Sequence, residues 1–424
     1  MREQGSEAAS AARQWAVCGI LLLATMLNYM DRMTLNSLST RITDELKLSN
    51  EQYGELELAF GVAFAVGSLC FGILADRLVT RWLYPAVVIA WSTTGLLTGF
   101  ADDFGSLLVC RGLLGFFEAG HWPCALRTTQ ALLAPQRRMF GNSLLQSGSA
   151  IGAIVTPLVI LGLAGSSQTA GGWRLPFVAI GSAGAAWVVA WFLLVGCEPS
   201  LSAGPGRATT VTSGQAIWRE ACLGNRRFWA LVPFVVGINL TWHLARAWLP
   251  KFLEQGRGVS ETEQLLFTSG YYVAADIGCI AAGVTGVWLA GRGLSPFASR
   301  SLVAAVCSIC VGVATTAAIA AQGAWMYAAL IVVGAAALGL FPCYYSLAQD
   351  VSPAHTGKAT GLLAAIGWIV CSPFQKEFGR LVDRTGSFDL GFALAAWAPA
   401  IAVAAFFAIW PRAPYSIAHE ETAT

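Results

Sequence analysis

The chain has 424 residues, of which 56% are hydrophobic and only 12% charged, with a mean hydropathy of +0.60 and a formal net charge of +2. Soluble domains carry roughly twice that charged fraction, so a soluble globular fold is excluded. The near-neutral balance gives no basis for a nucleic-acid partner.

Apolar stretches of about 20 residues recur from end to end, the length a helix needs to cross a hydrocarbon layer of about 30 Å. Backbone groups in lipid must be satisfied within the segment, and runs this long and continuous read as helices rather than barrel strands. The expected fold is an all-α membrane protein with the lipid bilayer as its partner. Met1 to Arg13 is polar and small, and no small-residue cleavage site follows the first apolar run, so that run reads as a retained first helix. The expected spans are 15–36, 54–75, 83–101, 105–126, 139–163, 174–196, 229–252, 264–290, 300–321, 324–348, 357–378 and 388–410, twelve in all.

Between spans six and seven, Glu198 to Arg227 is rich in Gly, Pro, Ser, Thr and Arg and has no hydrophobic period. It divides the chain into a six-helix bundle over 1–197, a linker over 198–228 and a second bundle over 229–424. With both termini cytoplasmic, the inner loops hold about twice as many Lys and Arg as the outer ones. Lys376 to Arg384 runs against that bias. Two six-helix halves around a midplane site is the plan of transporters that rock between access states.

In chain order, the chemistry starts at Asn28-Tyr29-Met30-Asp31-Arg32, at the end of span one. A charge near the bilayer centre costs about 3 kcal/mol on insertion scales, so an adjacent acid and base mark an ion or substrate path. Gly72-Ile-Leu-Ala-Asp76-Arg77, followed by Arg81, lies between spans two and three. In span four, Arg111 and Glu118 are seven residues apart, hence on one helical face, where each can reach Asp31-Arg32 across the bundle. Desolvation and a nearby arginine pull a carboxylate's proton affinity in opposite directions, which suits a proton switch or, alternatively, a structural ion pair. Gly148-x-x-x-Gly152 ahead of Pro157 reads as a close-packing helix face.

His243 and Arg246 share one face of span seven. Arg246 either binds an anionic group or snorkels outward; His243 is either a functional group or hydrogen-bonded structure. Asp276 in span eight follows Tyr271 and Tyr272, and three roles stand for it: substrate binding, pairing with Arg246, or bonding a neighbouring helix. Pro342 breaks the ladder of span ten beside Tyr344 and Tyr345, so Tyr345 or Ser346 either faces a cavity or packs in the core. The closest cysteine pair, Cys307-Ser-Ile-Cys310, has no histidine nearby and reads as packing. With no metal-ligand cluster, nucleophile elbow or phosphate loop, neither an enzyme nor a cofactor or metal is expected.

The stretch from Gly72 through Asp76, Arg77 and Arg81 resembles the loop signature of the major facilitator superfamily, G-x-L-A-D-R-x-x-x-R. There Asp76 would act as a conformational latch, meeting a helix N-terminus or an arginine in one access state. The ordered set of Asn-Tyr-x-Asp-Arg at 28–32, that loop, and Arg-x-Leu-Leu-Gly-x-x-Glu-Ala-Gly-x-x-Pro from Arg111 resembles the anion:cation symporter family. Tyr53-Gly54, Trp91-Ser92, Gly172-Trp173-Arg174 and Trp248-Leu-Pro-Lys251 also match, and Ala275-Asp276-Ile-Gly278 is similar to the hexuronate branch. The likeness runs from about residue 15 to 410.

The resemblance implies proton-coupled uptake of a small organic anion, a hexuronate or related sugar acid, by a monomer in the bacterial inner membrane. It implies that Asp31 and Glu118 handle protons, that Tyr29 and Arg32 meet the substrate, and that Arg111 pairs with the acids. The chain departs from the family at Phe64, where many members have tyrosine, at Gln146, where asparagine is frequent, and at Thr241 to Ala247, which brings His243 and Arg246. These positions, with Asp276 and Tyr345, form the expected substrate site. An uncoupled or exchange carrier of another carboxylate with the same fold is the alternative.

Overall fold

Polar caps start helices where the apolar runs begin. Ser49 and Gln52 form a reciprocal capping box, Asp103 and Ser106 form another, and Ser260 and Ser295 cap two helices of the second half. A computed structural model describes residues 2–132, 135–164, 171–195, 224–351 and 356–411, with backbone only at 2–14, 76, 130, 135–143, 164, 349–351 and 356–360. Among the described residues no strand occurs.

The helices are α1 (Arg2–Ser37), α2 (Ser39–Glu45), α3 (Asn50–Arg77), α4 (Thr80–Thr98), α5 (Phe104–Glu118), α6 (His121–Leu132), α7 (Pro135–Ala164) and α8 (Arg174–Leu194). After the linker come α9 (Arg226–Lys251), α10 (Glu261–Gly291), α11 (Pro296–Ala320), α12 (Ala324–Val351), α13 (Thr356–Thr385) and α14 (Asp389–Ile409). Among the described residues nine helices are long and apolar enough to cross a membrane. With α4, the α5–α6 pair and α13, the path makes the twelve crossings expected. Of the expected linker, residues 198–223 lie outside the described residues.

Two departures from the expected spans bear on the site. Span four is not continuous: α5 ends at Glu118 and α6 begins at His121. Pro123 has no N–H for the carbonyl of Ala119, so the ladder stops there and Glu118 falls at a helix end. Span seven runs from α9 into a π-helical turn at Phe252–Gly256, just beyond Pro250.

Apolar packing falls into three main clusters. One lies among residues 17–195, a second among residues 228–406, and a third draws on both, with Met33, Tyr53 and Trp173 against Trp248, Phe252 and Phe378. Leu193, Val287 and Trp325 are exposed apolar side chains of the outer belt, a surface that only a lipid solvent tolerates. Close backbone approach is made by glycines. A Cβ on Gly148 or Gly152 would meet the backbone of α1 at Leu22 and Met26, so the expected close-packing face lies against span one.

The helices before and after the linker meet at the end away from the termini, here called the distal end. Arg41 donates to Glu261 at 2.6 Å, and the buried Lys251 amine donates to Thr43 at 2.8 Å and Asn50 at 3.1 Å. The backbone N–H groups of Asn50 and Glu51, at the N-terminus of α3, donate to Asp383 of α13 at 3.0 and 2.7 Å. Lys376 pairs with Glu55 at 2.6 Å and Arg380 with Glu51 at 2.7 Å. The basic run at 376–384 thus faces acids of the first half. Along α3 and α13 the seam is tight at Gly54 against Gln375 and at Gly61 against Ser372. Further along, a Cβ on Gly72 or Gly361 would meet nothing within 4 Å. The two helices are therefore zipped distally and part toward the termini.

Candidate functional site

Midway along the crossings, charged side chains from α1, α3, α5 and α9 are buried together. Glu118 is at the carboxyl end of α5, where the helix dipole disfavours a negative charge. Arg32 of α1 meets it, donating from Nε at 3.1 Å and from Nη2 at 2.7 Å to the same oxygen. Four rings surround the Arg32 guanidinium: Tyr29 at 5.2 Å, Phe60 at 4.9 Å, Phe64 at 5.1 Å and Trp368 at 5.8 Å. Each ring face held over a cation stabilises it by about 0.5–2 kcal/mol. Phe64 thus serves through its ring face, which needs no hydroxyl. Trp368 comes from α13, so the cage draws on both halves.

A second group centres on Glu57 of α3, which is 2% exposed. Arg111 of α5 and Arg246 of α9 both pair with it, the latter at 2.9 Å. Asn36 donates to Glu57 at 3.0 Å and accepts from Arg246 at 3.1 Å. Tyr53 donates to the Ala247 carbonyl at 2.7 Å. Removing one member of a buried ion pair costs about 3–5 kcal/mol, because the partner is left charged and alone. Such a cluster holds together only as a unit.

The expected four-charge cluster is therefore divided. Glu118 meets Arg32 as expected, but Arg111 turns to Glu57 instead of Asp31 or Glu118. Asp31 is buried against Gly95 of α4, and neither of its oxygens has a hydrogen-bond partner among the described residues. Arg246 does not snorkel outward: it is 4% exposed and engaged with Glu57, not with Asp276. His243 lies tilted against Trp368, ring centroids 4.1 Å apart, with both ring nitrogens unpartnered among the described residues.

The remaining expected positions lie around this core. Tyr29 is half-buried beside Arg32. Gln146 is exposed and donates to Ser149 at 3.2 Å. Asp276 is half-buried, two turns along α10 from Ser269, which donates to the Ile154 carbonyl of α7. Tyr345 is exposed beside Phe341 and Tyr344. Of the expected latch, Gly72 and Arg77 border the end of α3, and the Arg81 carbonyl accepts from Trp191 at 3.1 Å. The Asp76 side chain lies outside the described residues.

Sequence reasoning passed over Glu57, Asn36, Phe60 and Trp368. A signal existed for the first. Glu55 and Glu57 are about 200° apart on a helix, so one of them has to point inward. Glu55 takes the distal surface and Glu57 the core.

Comparison with known proteins agrees with this architecture. The chain is 26% identical over 388 residues to the "Probable L-galactonate transporter" of Escherichia coli, covering 88% of this chain and 83% of that protein. It is 25% identical over 425 residues to an Escherichia coli "Hexuronate transporter", covering 92% and 96%. A "Probable sulfoacetate transporter" of Cupriavidus necator is 25% identical over 396 residues, covering 89% of each chain. In fold, the chain is similar to a bacterial homolog of the human lysosomal transporter Spinster, with a TM-score of 0.78, 18% identity and coverage of 95% and 99%. A D-xylose-proton symporter superimposes with a TM-score of 0.77 at 14% identity, covering 94% and 98%. The family profile of the Major Facilitator Superfamily matches residues 21–375, and this chain belongs to that superfamily.

Proposed function

We propose that this protein is a secondary active transporter that moves a small organic anion, a sugar acid, together with protons in the same direction. The observation that carries the reading is the buried set of Arg32, Arg111 and Arg246 against Glu57, Glu118 and Asp31, the last without a hydrogen-bond partner among the described residues. Three cations in a membrane core attract an anion, and carboxylates beside them can exchange protons in step with it. The names of the relatives support a sugar acid as the class.

Asp31 and Glu118 take protons from the distal side, and the anion then meets Arg32 inside its aromatic cage. The bundles 1–197 and 229–424 rock about the linker 198–228, with both termini cytoplasmic. The anion leaves toward the termini, followed by the protons. The distal ion pairs and the parting of α3 from α13 toward the termini support assigning this conformation to the release side.

The test is uptake of D-glucuronate and D-galactonate into proteoliposomes under an imposed inward proton gradient. Accumulation above equilibrium that collapses when the gradient is dissipated is the expected result. Uptake indifferent to the gradient would leave a carrier without proton coupling.

A further inference from the structure

The bond from Arg246 to Glu57 joins α9 to α3, and so links the two halves inside the membrane core. Nothing in the family signature requires an acid there. Glu57 lies between two guanidiniums, Arg111 on its own half and Arg246 on the other, and takes a third bond from Asn36. A carboxylate held between two arginines is the geometry of a bound carboxylate ligand. Here the protein supplies the carboxylate from its own side chain, that of Glu57.

We propose that Glu57 is an internal stand-in for the transported anion: it holds Arg246 while the distal end is shut and yields it to the substrate's carboxylate when that end opens, while Arg111 stays with Glu57 on its own half. This rests on the organic-anion reading above.

The physical basis is the position of the bond. Distal opening must separate Arg41 from Glu261 and Glu51 from Arg380, and the Glu57–Arg246 bond crosses the same interface one layer deeper. As α9 swings away as part of a rigid bundle, Arg246 leaves Glu57 while still buried. An uncompensated arginine in the core is costly, and an entering carboxylate removes that cost. On closure Glu57 returns, tethered and therefore at high effective concentration, and competes the anion off Arg246. The anion is then free to leave toward the termini. Glu57 is thus a positioning residue that makes release directional. A merely structural pin would lower stability and substrate affinity together. A competitor, when removed, raises affinity.

The experiment uses the full-length protein with D-glucuronate and D-galacturonate as probes. Binding is measured by thermal shift and calorimetry, and net efflux and exchange in proteoliposomes. In Glu57→Gln, affinity for the transported acid tightens by about ten-fold, net efflux slows by a similar factor and exchange survives. In the Glu57→Gln/Arg246→Gln double variant the tightening disappears, because the contested cation is gone. If Glu57→Gln does not fold, Asn36→Ala is the substitute: it loosens Arg246 from Glu57 and tightens binding by roughly three-fold. A wild-type protein that binds and transports an acid, with either single variant showing unchanged or weaker affinity, overturns the role of Glu57 alone. A wild-type protein that binds neither acid overturns the substrate reading, and the role of Glu57 with it.

Discussion

Asp31 and Arg32 are neighbours in the chain and part company in space. The helix turns about 100° between them, so Arg32 faces Glu118 and the aromatic cage while Asp31 faces Gly95 of α4. Their separation suits separate tasks. Asp31→Asn is expected to abolish gradient-driven accumulation and preserve counterflow, measured with labelled sugar acid in proteoliposomes; normal accumulation would remove the proton role from Asp31. Arg32→Lys keeps the charge but loses the planar surface that four rings cover. Substrate affinity in that variant is expected to fall roughly 2- to 30-fold, matching the 0.5–2 kcal/mol of a cation–ring contact. An affinity equal to wild type would show that the cage is not part of the binding site. At this scale the sequence was readable where an expensive residue stood in a plainly apolar run, as at Asp31, Arg32, Arg111 and Glu118. It was fainter where the cost was hidden. Glu57 follows Glu51 and Glu55 near a helix start and reads as surface. Only the fold reveals that it faces two arginines.

Whole helices were legible because their lengths are set by the membrane and their ends by caps. All twelve expected crossings are present within a few residues at most ends. The interruption at Ala119–Gly120 was not foreseen, because the hydrophobic run continues across it and Pro123 lies beyond the break it causes. Helix pairing was partly readable in the small-residue face of α7. Gly148 lies where a larger side chain would drive into the backbone of α1 at Leu22. Overpacking of this kind costs about 1–3 kcal/mol. Gly148→Leu is therefore expected to lower the thermal unfolding midpoint in detergent by several degrees and to impair transport, because α1 carries Asp31 and Arg32. Retention of the wild-type midpoint would mean that α1 and α7 are not packed this closely.

The molecule as a whole is held shut at one end. Distal contacts between the halves are rich in ion pairs and helix-terminus bonds, including Asp383 on the α3 N-terminus. With the termini cytoplasmic, as proposed, Lys376 and Arg380 would oppose the positive-inside bias, and their pairing with Glu55 and Glu51 gives them a structural reason to be there. Half-buried pairs within reach of solvent, such as these, are partly screened by salt, so the closed distal end is expected to loosen at high ionic strength. Asp383→Asn removes a charge that engages two backbone N–H groups of α3 and is expected to shift the balance toward distal opening. A cysteine placed at Thr43, buried in this conformation, would then react faster with a membrane-impermeant thiol reagent added from the distal side. Unchanged reactivity would show that Asp383 does not hold the gate.

Trp368 carries a practical consequence. Its indole lies against Phe64 at 5.0 Å and His243 at 4.1 Å, and within 5.8 Å of the Arg32 charge, with partners from both halves. An indole whose neighbours include a guanidinium and an imidazole emits at a wavelength set by their positions. When the halves move, this fluorophore changes surroundings while most other tryptophans keep theirs. The difference spectrum between the native protein and Trp368→Phe should isolate that signal, so the chain already contains an optical clock for its own transport cycle.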